Sequence, residues 1–146
     1  MSKREIQLDV VSPSGTIFSS PVEFLSIMGP DGSIGILPGH VPVFMKIDFG
    51  FVEYQHAGQR DFITTMGGIL EYHHNHATIL TESAELATDI DEFRAKESMK
   101  KAQARMSEKA GEKALASADS LADLQRAATR LRVVELLKNR QNRRRI

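Results

Sequence analysis

Arg126 and Arg130 stand four residues apart, and Asp91 and Arg94 three apart, so each pair shares a face if its segment is helical. Guanidinium forks match phosphate oxygens, and a carboxylate such as Glu85 suits an exocyclic amine. Closure of the two segments onto each other would bring these residues together. The same spacing also describes solvated helix charges with weak intrahelical pairs, and charge spacing alone favours that second reading. His73, His74 and His76 surround Asn75. On a strand His74 and His76 share a face, a start for a metal site, but no third ligand is evident and a polar hairpin tip is the simpler reading. The chain has no cysteine, no G-x-x-x-x-G-K-[ST] phosphate loop and no nucleophile elbow, so neither thiol chemistry nor unaided nucleotide hydrolysis is supported. Lys138–Ile146 carries five positive charges and no acid. Such a run suits a nucleic acid, an anionic membrane or an acidic protein, although no aromatic residue interleaves with it for base stacking.

The elements that must position these groups divide in two. Residues 1–88 hold 4 basic and 10 acidic side chains, net −6, whereas residues 89–146 hold 15 basic and 9 acidic, net +6. All five prolines, nine of ten glycines and eight of nine aromatics precede residue 89, so the bulky core material lies in the first part. We expect a domain over 1–88 and a helical region over 89–146 with a basic tail. The acidic first part would repel phosphates, which sets a nucleic-acid role far below the others. No apolar run reaches the roughly 20 residues of a spanning helix. The N-terminus lacks the apolar core of a signal peptide, and the lack of cysteine fits a reducing cytoplasm.

Within 1–88, Ile6, Leu8 and Val10 alternate with Gln7 and Asp9, the period of a half-buried strand. Further short segments follow at Thr16–Phe18, Val22–Met28, Ile34–Leu37, Val43–Ile47, Phe51–Gln55, Asp61–Met66, Gly68–Tyr72 and Ala77–Thr81. Many short strands at this spacing predict a sandwich or barrel. Gly67-Gly68 reads as a bulge or tight bend. In the second part, Asp89 with Glu92 predicts a helix start, and Ala95, Met99, Ala102, Met106 and Ala110 recur on one face. Gly111 and Ser117–Ser120 predict a break, with Ser120 and Asp123 capping a second helix whose apolar face is Leu121, Leu124, Ala128, Leu131, Val134 and Leu137. An antiparallel hairpin of this kind buries little area along its alanines and should be marginal alone. It is expected to dock on the sandwich, on a partner, or alternately on each.

Gly35–Pro42 reads G-I-L-P-G-H-V-P. Two prolines fix φ and remove donors while two glycines permit positive φ, so the path of this loop is specified. Ile36, Leu37 and Val41 are expected to anchor it to a core, with His40 as its polar tip.

Taken in order, Val10-Val11-Ser12-Pro13 with Gly15 and Phe18, then Gly35–Pro42, Gly67–Glu71, and Glu85 through Ala95 leading into a basic two-helix tail, closely resemble the epsilon subunits of bacterial F-type rotary ATP synthases. The resemblance implies a ten-stranded flattened β-sandwich followed by an α-helical hairpin. It implies a non-catalytic subunit of a proton-transporting ATP synthase, in the central stalk on the cytoplasmic face of the bacterial inner membrane. The partners would be gamma, the c-ring and the alpha/beta catalytic head. The ring contact would involve Asp31, Gly32, Ser33, His40 and Val41. The hairpin would act as a movable brake on ATP hydrolysis through Arg126, Arg130, Arg132, Lys138 and Arg140, together with Arg143, Arg144 and Arg145. In some members the hairpin binds regulatory ATP through I/L-D-x-x-R-A. Ile90-Asp91-Glu92-Phe93-Arg94-Ala95 matches that motif, and Glu85, Arg126 and Arg130 match the other positions. Lys101 stands where strong binders carry Arg. No other cofactor is implied. A stand-alone ATP-sensing module is the alternative.

Overall fold

Strict alternation makes β1 (Ile6–Ser12) half-buried, with Ile6, Leu8 and Val10 fully inside. A computed structural model describes residues 4–109 and 117–143 of the chain. It shows β2 (Gly15–Val22), β3 (Phe24–Gly29), β4 (Gly32–Ile36), β5 (Val43–His56), β6 (Gln59–His73), β7 (His76–Thr81) and β8 (Ala84–Leu86). A short 3-10 turn at Ala87–Asp89 precedes α1 (Glu92–Lys109) and α2 (Ser117–Arg143). The chain divides into two units, Met1–Ala87 and Thr88–Ile146.

In the first unit the strands run in the order β2-β1-β7-β6-β5-β3-β4, with β8 also on β6. β1 and β7 pair in parallel, and the other pairs are antiparallel. The sheet wraps round one core that includes Leu8, Val10, Leu25, Ile36, Ile47, Val52, Ile63, Leu70 and Ile79. Eight strands stand among the described residues where ten were expected. Val43–Ile47 with Phe51–Gln55, and Asp61–Met66 with Gly68–Tyr72, prove to be halves of the two longest strands. β5 and β6 keep one register from Val43↔Tyr72 to His56↔Gln59, so Gly67-Gly68 is a bend and not a bulge. At that bend the partner of β6 changes from β7 to β8, and the Met66 amide donates to the Ser83 carbonyl at 3.1 Å. Two-residue turns with positive φ, Ala57-Gly58 and His74-Asn75, close the β5–β6 and β6–β7 hairpins.

The second unit is an antiparallel hairpin. Glu92 near the start of α1 meets Lys138 near the end of α2, and Arg105 meets Asp123 at the other end. Its seam is made of small side chains. Ala95 and Ala102 are buried on α1, and Ser120, Ala127, Val133 and Val134 on α2. Two expectations change here. α1 is capped by Asp91 and not Asp89: the Arg94 amide donates to Asp91 Oδ1 at 2.9 Å, while Asp89 belongs to the preceding 3-10 turn. α2 already runs from Ser117, so Ser120 is a buried seam residue inside the helix and not its cap. The exposed Leu121 and Ala128 leave the predicted apolar face, because a close seam admits Ser120 and Ala127 more readily. The basic end is helical as far as Arg143. Ala110, Gly111, Arg144 and Arg145 lie outside the described residues.

Candidate functional site

The Gly-Pro loop leaves the end of β4 with Ile36 fully buried. Its two other expected anchors face outward: Leu37 is 59% exposed and Val41 70%, and Phe44 at the start of β5 is 75% exposed. On β5, Val43, Met45 and Ile47 alternate toward the core, which puts Phe44 on the outer face; Leu37 follows the inward Ile36, and Val41 stands in the loop outside the alternation. The loop is held instead by polar bonds from the β6–β7 turn. Asn75, at φ 59, uses Oδ1 to accept from the Gly39 amide at 2.6 Å and from the Tyr72 hydroxyl at 2.9 Å. Its carbonyl accepts from the Gln7 amide at 2.8 Å. Gly39 itself sits at φ 85, and the His40 amide closes a turn onto the Leu37 carbonyl at 3.1 Å. The His40 ring packs edge-on against the buried Tyr72. Its Nδ1 lies 2.8 Å from the Val41 carbonyl. His40 is therefore part of the loop's own support.

Asn75 and Tyr72 were not singled out from the sequence. The one available signal was an Asn between histidines at a hairpin tip, where a positive φ is tolerated. The rest of the tip is polar: the His73 and His74 ring centroids lie 3.8 Å apart with the rings tilted by 49°, and His76 bonds Asp9 at 2.5 Å. The Ser19 hydroxyl, then Gln7 and His76, hold the Asp9 carboxyl below its usual range against a partial burial penalty. No metal-ligand group of three or more is found among the described residues.

Asp31, Gly32 and Ser33 do not join His40 and Val41 in one cluster. Asp31 lies in the β3–β4 turn and Gly32 and Ser33 open β4, whereas His40 and Val41 follow its far end, so the length of this edge strand, roughly 13 Å, stands between the two sets. Spacing in the sequence could not show this, because it does not reveal that a strand lies between them.

On the hairpin, Arg126 and Arg130 face a groove of about 190 Å³ between the helices. Ser98, Lys101, Arg105 and Asp123 line it with them. Ser98 and Arg105 escaped the sequence reading, and Asp123 was read there only as part of a helix cap, since only the interhelical register shows which residues oppose Arg126. Arg94 lies one turn before Ser98 on α1 and is exposed. Ile90 precedes the helix, the Asp91 side chain is engaged as its cap, and Glu85 stands on β8 in the first unit. The expected inhibitory cations do not share one face. At about 100° per residue, Arg126, Arg130 and Arg140 fall on one side of α2, with Arg132 and Lys138 each turned about 120° from Arg126 in opposite directions. Arg132 pairs with Glu135 at 3.7 Å, and Lys138 reaches across to Glu92 at 2.5 Å.

Lys138, and then Lys96 on its own helix, lower the Glu92 carboxyl from 4.5 to about 2. A depressed carboxylate contributes above its ordinary value and loses that contribution as pH falls through the lowered one. The Glu92 clasp is thus expected to persist above pH 4.5 and to open as pH falls to about 2. Paired labels on α1 and α2 should report separation in that window. Glu92→Gln should show wider spacing already at neutral pH and no Glu92-linked step on acidification.

A family model described as ATP synthase, Delta/Epsilon chain, beta-sandwich domain matches residues 5–87, and one described as ATP synthase, Delta/Epsilon chain, long alpha-helix domain matches residues 88–135. The chain is 34% identical over 129 residues to an ATP synthase epsilon chain of Bacillus mycoides, covering 88% of this chain and 96% of that one. It is 36% identical over 104 residues to an ATP synthase epsilon chain of Lawsonia intracellularis, covering 71% and 78%. Its fold is similar to a chain in the Euglena gracilis mitochondrial ATP synthase, with a TM-score of 0.65 at 21% identity, covering 93% of this chain and 81% of that one. A chain of the Tetrahymena thermophila mitochondrial ATP synthase central stalk and c-ring is similar with a TM-score of 0.53 at 13% identity, covering 94% and 98%.

Proposed function

The chain belongs to the ATP synthase delta/epsilon family, and from that premise we propose that it joins the c-ring to gamma in the central stalk and brakes ATP hydrolysis with its hairpin. It is a non-catalytic epsilon-type subunit of the F-type complex. No helix among the described residues is long and apolar enough to cross a membrane, and the subunit is peripheral to the membrane complex. Its proposed place is the cytoplasmic face of a bacterial inner membrane, given its bacterial relatives.

One observation carries the coupling role: an outward apolar cluster, Leu37, Val41 and Phe44, on a loop held at Asn75 and Tyr72. A joint that transmits torque needs partner contact on a support that does not yield. We assign this cluster, with His40, to the c-ring, and Asp31, Gly32 and Ser33 to the same surface continued along β4. A second outward row, Val11, Leu80 and Ile69, crosses β1, β7 and β6 in direct register and suits gamma. Placing charge at the first cluster tests the assignment. Val41→Asp with Phe44→Asp should leave the isolated chain folded, because both side chains are exposed, and should lower its retention on the c-ring in a reconstituted complex at least about tenfold. Unchanged retention would remove the ring assignment.

The braking role rests on the charge contrast and on the weak seam. Alanines bury little area, so the folded and extended hairpins can differ by a small free energy. Arg126, Arg130, Arg132, Lys138 and Arg140, pointing to several sides, suit an acidic groove of the catalytic head that surrounds an extended helix. Regulatory ATP is a second reading. The groove holding Arg126 and Arg130 favours it, with Arg94 one turn away and Ile90, Asp91 and Glu85 as the remaining motif positions. Lys101 keeps the charge there but not the bidentate fork.

A further inference from the structure

Four of the chain's five histidines gather at one end of the sandwich: His73, His74 and His76 around the β6–β7 turn, and His40 on the loop beside it. The His73 and His74 ring centroids are 3.8 Å apart. Neighbours on a strand point to opposite faces, and these two rings meet because His74 takes a positive φ of 48. The same turn presents Asn75, whose Oδ1 accepts from the Gly39 amide and whose carbonyl accepts from the Gln7 amide. One residue thus ties the tip to the loop on one side and to β1 on the other. His73 and His76 are also partners across the hairpin.

Charge acts on the two ties with opposite sign. Imidazole is the side chain that ordinarily gains its proton between about pH 8 and about pH 5. A charged His76 faces the Asp9 carboxyl, which the Ser19 hydroxyl above all holds ionised below its usual range, so acid strengthens the contact of the tip with β1. Charged His73 and His74 face each other instead. Two positive rings at this distance repel, and a charged His76 adds to them. The nearby carboxylates are Glu71, two residues before His73, and Glu5, which precedes β1 beside Arg4. Neither makes an ion pair with these rings among the described residues. The His40 Nδ1 contact with the Val41 carbonyl needs a proton on that nitrogen in either charge state, so titration of His40 does not break it.

We propose that the His73–His74 pair is a proton-operated release for the Gly-Pro loop. With at most one ring charged, Asn75 holds Gly39; with both charged, the turn opens and frees the loop while β1 stays attached. Leu37 and Val41 flank Gly39, so acid makes the outward apolar cluster mobile. The consequence for the c-ring rests on the ring assignment above, but the release itself does not.

NMR of the full chain from about pH 8 to about pH 5 tests this. The His73 and His74 ring signals should titrate in two separated steps. The Gly39 amide signal should move upfield with the second step, while the Gln7 amide keeps its position. Repulsion between the rings should lower the closed-to-open ratio of the turn about fivefold or more, and less at high salt. His73→Gln and His74→Asn each leave one ring of the pair, and Asn suits the positive φ. Both should abolish the Gly39 movement, whereas His76→Gln should keep it. A Gly39 amide that stays in place in the unaltered chain overturns the proposal. So does movement that survives in both single-ring variants, or a Gln7 amide that moves with Gly39, since the tip would then loosen as a whole. If both variants show an upfield Gly39 signal already at the alkaline end, the rings are a packing support and the proposal also fails. The Glu92 clasp opens far below this range and does not interfere. Retention on the c-ring at the two ends of the range separates the two readings. A Gly39 response with unchanged retention keeps the release and removes the ring assignment of the loop. No Gly39 response, with retention lost in Val41→Asp, Phe44→Asp, does the reverse.

Discussion

Removing residues 89–146 will leave the sandwich assembled in the complex and raise the rate of ATP hydrolysis. The cut falls in the short segment between the unit Met1–Ala87 and α1, and the sandwich core draws on none of the deleted residues. The apolar surfaces assigned to the ring and gamma, from Val11 to Leu80, all precede the cut. A hairpin that blocks the rotor about nine-tenths of the time is favoured by about 1.4 kcal/mol in the complex, so its loss should raise hydrolysis about tenfold. Matched complexes carrying the full and the shortened chain, assayed with saturating ATP, give the comparison. An unchanged rate with full incorporation of the shortened chain would mean that the hairpin is no brake.

Gly68→Ala will disrupt the sandwich itself. A Cβ at Gly68 would lie 1.9 Å from the Leu80 carbonyl oxygen and 3.0 Å from the Thr81 Cα, both backbone atoms of the paired strand β7. Neither can swing aside as a side chain would. Gly68 also sits at φ +140, where an L side chain adds strain. Overpacking and backbone strain together should cost about 3–5 kcal/mol, a large share of the stability of a domain this size. We expect a Tm lower by more than about 10 °C, or no cooperative transition. Gly50→Ala is the control, because a Cβ there meets nothing within 4 Å and the backbone is not in a glycine region. Equal thermal stability of the two variants would show that the bend at Gly68 has room to open.

The charge split and the two periodicities determined a strand-rich first part and a helical second part. Both are properties of neighbouring residues, since period 2 and period 3.6 follow from local backbone geometry. The alternation in β1, the alanine seam of α1 and the Gly-Pro loop as a defined path were legible for that reason. Strand count was not, because nothing in Asp48 or Gly67-Gly68 says whether a strand ends or bends. Only the single register that β5 and β6 keep across the bend decided it.

The same limit applied to the sites. Arg126 with Arg130 could be read from their spacing, but Arg105 and Asp123 belong to the groove through contacts across the hairpin. Asp89 read as the α1 cap until the Arg94 amide selected Asp91. Leu37 and Val41 carried no mark that they face outward. Asn75 carried none that its side chain holds Gly39, 36 residues away. The sequence by itself determined which elements form and which chemistry is present, because those depend on residue type and local repeat. Tertiary structure decided which side chains meet and which apolar groups remain outside, because register, strand direction and helix phase arise only when distant segments pack.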